Sequence, residues 1–195
     1  SQFNIISWNA INSSLSNKVD DIYPYTPVIH NELINNSKPS PSANTGVMKF
    51  LEALHDHPYQ EWLSIKGTGP EKSIYLSLLE KTGLHRVENG HYRLTSPDNE
   101  ENLDYLWKKW DDKIEASKTE KINLTDLHLI AMEPPFGLKR GLAKILSIVK
   151  VFEKLNQVSI YHRDNIHGGA SFIEELYSDD IELMYKRPEI YDLKF

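Results

Sequence analysis

The sequence predicts a mainly α-helical fold with small β-hairpins, built as tandem winged-helix-like units after a helical N-terminal section. Three observations predict it. Apolar residues recur at spacings of three and four along most of the chain. An Asn89-Gly90 pair between two short β-prone runs marks a tight hairpin. The order helix, turn, helix, hairpin then occurs twice, a repeat of element order rather than of residue identity. The boundaries expected are 1–57 for the N-terminal section and 58–96 for a first unit that borrows the helix at 43–57. A linking helix at 97–120 follows, then a second unit with a C-terminal helix at 121–195.

Taken in order, Trp8, Ile11, Leu15, Val19 and Ile22 form one stripe of an amphipathic helix over 7–22, which Tyr23-Pro24-Tyr25-Thr26-Pro27 breaks. A short helix is expected at 28–35 and another at 43–57, with Val47, Phe50, Leu51 and Leu54 inward. Pro70 suits the first turn of a helix over 71–81, and Gly83 its end. The hairpin takes 84–87 and 92–95, and a long helix from Pro97 to about Ser117 carries Leu103, Leu106, Trp107, Trp110 and Ile114. In the second half Thr125 is expected to cap a helix over 126–132, and Pro134-Pro135-Phe136-Gly137 to make the turn, with Phe136 packed beneath it. A helix at 138–156 precedes strands at 158–162 and 170–176 around a turn at 165–169. Ser178 is expected to cap a last helix at 179–186.

Composition narrows the function. The chain has 195 residues, a formal net charge of −6 and no cysteine. An acidic chain is not a uniform phosphate-binding surface, and without thiols there is no disulfide, thiolate-zinc site or cysteine nucleophile. No apolar run reaches the roughly 18 residues of a membrane span, so a cytoplasmic chain with no membrane partner is expected. A first residue Ser rather than Met reads as a segment of a longer protein.

Catalytic motifs do not emerge. Gly67-Thr68-Gly69-Pro70-Glu71-Lys72-Ser73 resembles a phosphate loop only superficially, because Glu71 stands where a glycine should precede the lysine. It reads better as a helix entry. His55-Asp56-His57 has the wrong spacing for one helix face, His162 and His167 flank Arg163 and Asp164 in a mixed-charge loop, and His30 has no partner by spacing. No metal, no cofactor and no catalytic residue are assigned. A hydrolase site assembled from dispersed His, Asp and Glu stays as an alternative.

Charge is unevenly placed. Residues 121–168 carry seven cations against four carboxylates, a net +3, and residues 169–195 carry three against seven, a net −4. On a helical wheel Leu138, Leu142, Ile145, Val149 and Phe152 form one face of the 138–156 helix. Arg140, Lys144, Ser147 and Lys154 lie opposite, with Lys150 beside them. A basic outer face on the third helix of a winged helix suits a DNA groove or a protein partner. The candidate binding residues are therefore Lys139, Arg140, Lys144, Lys150 and Lys154, with Arg163 in the hairpin. Lys139 and Arg140 open that helix, where cations oppose the dipole.

Three stretches, Tyr23 to Asn35, Pro70 to Tyr75 and above all Pro134-Pro135-Phe136-Gly137-Leu138-Lys139-Arg140-Gly141, resemble the C-terminal portions of large bacterial P-loop ATPases associated with phage-defence and restriction gene clusters. The resemblance implies a non-catalytic module whose partner is another protein or the remainder of the ATPase, and which does not itself hydrolyse ATP. DNA binding is the alternative. The sequence does not specify an oligomeric state.

Overall fold

The structure, a computed structural model, describes residues 7–36, 38–98, 102–163 and 169–195. It is mainly helical with two small antiparallel sheets. Helix α1 (Trp8–Ile22) is capped by Ser7, whose Oγ accepts from Ala10 N at 3.2 Å. Helix α2 is confined to Glu32–Asn35, shorter than expected, because Asn31 caps it with Oδ1 on Leu33 N at 2.9 Å. Helix α3 (Pro41–Asp56) is capped by Ser40 and buries Val47, Phe50, Leu51 and Leu54 as their spacing predicts.

Helix α4 (Pro70–Tyr75) continues through a π-turn at Leu76–Glu80 and ends at Gly83, whose φ is 71°. It crosses α3 almost backbone to backbone: a Cβ on Gly46 would lie 2.5 Å from Pro70 Cβ. Between the two helices, Trp62, Leu63 and Ser64 take φ of 52°, 53° and 55° in a left-handed turn that the sequence does not foreshadow. Such geometry costs roughly 1–2 kcal/mol per residue. It is held by fully buried Leu63 and by Trp62, whose indole donates to Glu80 Oε1 at 3.1 Å beneath the Lys72 ammonium.

Strands β1 (His85–Glu88) and β2 (His91–Leu94) form the expected hairpin, with Asn89 and Gly90 both at positive φ and Val87 opposite Tyr92. Helix α5 (Leu103–Ala116) starts later than Pro97 and is not a mere link, since Leu106, Trp107, Trp110 and Ile114 are fully buried. Helix α6 (Leu124–Met132) is capped by Asn123 rather than Thr125. Asn123 Oδ1 accepts from Thr125 N at 3.0 Å while Asp126 Oδ2 accepts from Asn123 N at 3.3 Å, a reciprocal box.

Helix α7 (Arg140–Glu153) follows, then β4 (Ser159–Arg163), β5 (Ala170–Phe172) and α8 (Ser178–Lys186). Ser178 opens α8 instead of capping it, and Asp180 Oδ2 accepts from Tyr177 N at 3.0 Å. The turn expected at 165–169, with His167 and Asp164, falls almost wholly outside the described residues. The second hairpin is half of a larger sheet, because β6 (Tyr191–Lys194) inserts between β3 (Ile122–Asn123) and β4, giving the order β3-β6-β4-β5. Buried side chains from α3, α4, α5, α6, α7, α8 and the four-stranded sheet form one continuous core. No helix among the described residues is long and apolar enough to cross a membrane.

Candidate interaction surfaces

Of the six basic residues, Lys139, Arg140 and Arg163 are exposed, Lys144 and Lys154 are half-buried and Lys150 is buried. Ten of the fourteen residues of α7 are buried, Ser147 and Lys150 among them, because the helix is packed against α6, α8, α2, α3 and β2. Lys150 is wholly buried, its Nζ 2.7 Å from both Asp111 Oδ1 and Glu153 Oε2. Lys154 lies 3.0 Å from the same Asp111 oxygen and 3.6 Å from Glu153 Oε1. Lys144 donates to the Tyr185 carbonyl near the end of α8 at 2.9 Å, and Lys139 to the Asn35 carbonyl at 2.8 Å. Arg163 donates from Nε to Asp192 Oδ2 at 2.7 Å, and Asp192 Oδ1 accepts from Asn123. Among the described residues only Arg140 of the six has no hydrogen-bond or ion-pair partner. The wheel found the apolar face correctly but could not show that α5 and α8 cover the other.

The covered charges balance locally. Burial would raise the Asp111 carboxyl, yet hydrogen bonds and charge from Lys150 and Lys154 outweigh it and hold it below the usual carboxylate range. Burial lowers the Lys154 ammonium, and Asp111 with Glu153 more than restore it. Trp107 Nε1 donates to Glu153 Oε2 at 2.9 Å, closing the network. This is structural chemistry, with every charge answered inside the protein. A sequence signal for it existed: Lys150 sits in Ile148-Val149-Lys150-Val151-Phe152, a density of apolar neighbours that leaves no wet side.

The stretches Tyr23 to Asn35, Pro70 to Tyr75 and Pro134 to Gly141 meet in space. Tyr25 N donates to the Pro135 carbonyl at 3.1 Å, and a Cβ on Gly137 (φ 66°) would lie 2.6 Å from the Tyr23 ring. Asn31 Nδ2 donates to Ser77 Oγ at 2.8 Å and to the Ser73 carbonyl at 3.2 Å. Phe136 is buried beneath its turn. The stretches form a structural knot around the α2 segment. Lys72, the lysine of the loop-like 67–73 run, sits 3.6 Å over the Trp62 ring.

Histidines are dispersed. His30 and His57 are exposed, while His55 lies between Asp56 Oδ1 at 2.7 Å and the Leu176 carbonyl at 3.0 Å. No group of three or more His, Asp or Glu among the described residues is placed to hold a metal ion. Two histidines that spacing did not single out are buried. His85 Nε2 donates to the Pro58 carbonyl (2.9 Å), which leaves Nδ1 to accept from Tyr75 Oη (2.9 Å), and burial lowers its pKa. His128 is lowered from 6.5 to about 4 by burial, then by Lys144 and Arg140, and its Nε2 has no partner among the described residues. A cleft of about 880 Å³ opens between β2, the end of α7 and the chain after β5, lined by His55, Arg93, Glu153, Phe172 and Glu174. Its charges are mixed.

Helix α1 is uncovered by the described residues. None of its fifteen residues is buried, and Trp8 (79% exposed), Leu15 (56%), Val19 and Ile22 (51% each) present the whole apolar stripe to solvent. The chain was compared with protein families, curated proteins and solved structures, and none of the three comparisons finds a match. The α1 stripe is thus read from its own chemistry.

Proposed function

We propose that the chain is a non-catalytic protein-interaction or regulatory module of a larger bacterial ATPase, and that its working surface is the apolar face of α1. One observation carries the reading: a complete amphipathic stripe with nothing of the described chain upon it. Burying such a face is worth roughly 1.5–3 kcal/mol per large side chain. Six of its fifteen residues are Ser or Asn, poor helix formers, so an isolated helix of this composition is marginal in water. A partner supplies what propensity lacks. The internal pairing of Lys144, Lys150 and Lys154 supports a protein partner over DNA, since charges already answered inside offer little to phosphates.

The order α5, β3, α6, α7, β4, β5 supports a winged-helix-like reading of the second half, with β6 as an addition to its sheet. In that reading α7 is the third helix, withdrawn into the core, and the α1 face takes over the recognition role.

The test places a photo-crosslinking amino acid at Leu15, on the stripe, or at Ser13, on the opposite face, and exposes each chain to extract of its source cells. Adducts from position 15 and not from 13 are expected, with no turnover of ATP by the purified chain. Nucleotide turnover, cleavage of nucleic acid, or equal labelling from both faces would overturn the proposal.

A further inference from the structure

We infer that the α1 face pairs with the α1 face of a second copy of the chain, antiparallel, about a two-fold axis through Leu15. The inference rests on the reading of α1 as an interaction surface and names its occupant. The stripe is symmetric about its centre: Ile11 and Val19 stand four residues to either side of Leu15, and Trp8 and Ile22 seven. An antiparallel two-fold therefore sets Trp8 against Ile22, Ile11 against Val19, and Leu15 against itself, so every apolar side chain meets another. Self-complementarity is what a two-fold interface demands, because one patch must serve both sides. The spacing three, four, four, three averages the heptad period of about 3.5 residues, so the stripe drifts only about 40° around a straight helix over its roughly 22 Å and stays on the contact.

Charge fixes the direction. Helix α1 has no acidic residue in its first turn and no basic residue in its last, and its carboxylates Asp20 and Asp21 lie at the C-terminal end, where they oppose the helix's own dipole. Antiparallel pairing brings Asp20 and Asp21 of one copy beside the uncharged first turn of the other, at the positive end of its dipole. Parallel pairing would bring four carboxylates together at one end. The remaining polar positions are Ser and Asn, with Lys18 the single cation, so no like-charge contact blocks the antiparallel arrangement. Five side chains a copy lie at the small end of stable interfaces, and the dimer is accordingly weak and concentration-dependent.

The experiment is sedimentation velocity of the purified chain from about 1 µM to about 1 mM, with cysteine probes that the cysteine-free sequence makes unambiguous. Helix axes about 8–10 Å apart, each Cα about 2.3 Å from its axis, put the two Leu15 Cα atoms roughly 3.4–5.4 Å apart, within disulfide reach at the wider axis separations. Expected are a concentration-dependent rise toward twice the mass of 22.5 kDa, a disulfide-linked dimer from Leu15→Cys under mild oxidation, and a mixed dimer when Trp8→Cys and Ile22→Cys are combined. Neither of the last two variants links efficiently by itself. Leu15→Asp weakens association at least about tenfold, and Ser13→Asp, on the far face, does not. Because no α1 residue is in the core, circular dichroism of the remaining fold is expected to be unchanged in both. A chain that stays monomeric throughout, or one in which Trp8→Cys self-links as a parallel pair would, overturns the inference. Position-15 adducts in extract with a monomeric purified chain mean that another protein occupies α1: self-pairing then falls and the interaction role stands. Absence of both removes both.

Discussion

At the scale of single residues, Lys150 decides how the basic helix is read. Its ammonium is buried between Asp111 and Glu153, so removing it empties a buried site and leaves the half-buried Lys154 as the cation shared by the two carboxylates. Lys150→Ala is expected to lower stability by about 1–3 kcal/mol, measured as a fall in the urea midpoint, and Lys150→Ala with Glu153→Gln to recover part of the loss. A lysine on an open recognition face would cost almost nothing when replaced. His128 gives a second residue-scale prediction. Its ring is neutral in the fold because its pKa falls from 6.5 to about 4. The unfolded chain binds that proton first, so the contribution is fully present above pH 6.5 and lost as pH falls toward 4. A shift of this size amounts to about 3 kcal/mol across the window. Thermal unfolding of the wild type and of His128→Leu, compared at stepped pH, is expected to show the variant gaining on the wild type throughout that fall.

Elements were legible where local chemistry determines them. Asn89-Gly90 and the inward residues of α3 act within a turn or a helix, and each is found where the sequence places it. Elements set by distant partners were not legible. Strand β6 exists because Leu193 finds Ile122 and Ile160 on either side, far away in the chain, and no period in four residues announces that. The left-handed turn at Trp62–Ser64 depends on Glu80 and Lys72. Likewise the stripe of α1 and the apolar face of α7 follow the same spacing rule, and only the fold shows that one is bare and the other enclosed. Close approaches allow an element-scale test. At Gly137 a side chain meets both a positive φ and the Tyr23 ring, so Gly137→Ala is expected to destabilise by about 1–3 kcal/mol, read from chemical denaturation. Gly90, equally at positive φ but with open space around it, is expected to cost less on the same change.

For the whole molecule, the net charge of −6 hides an internal arrangement. Of the cations of 121–168, Lys150 and Lys154 are met by Asp111 of α5, Lys144 by the Tyr185 carbonyl of α8 and Arg163 by Asp192 of β6. Lys139, Arg140 and Arg163 stay exposed, on a protein whose total charge is acidic. Binding to duplex DNA is accordingly expected to be absent or weaker than about 10⁻⁴ M even at low salt, with no change when Lys139 and Arg140 become Ala. A titration by fluorescence anisotropy checks this. The central claim is that α1 persists as a helix because a partner covers it. Hydrogen exchange along residues 8–22, followed in buffer at rising concentration and in extract of the source cells, tests it most directly. Slowed exchange that grows with concentration or on addition of extract, and that Leu15→Asp abolishes, is the predicted result; exchange at the rate of an unstructured peptide under every condition would contradict it.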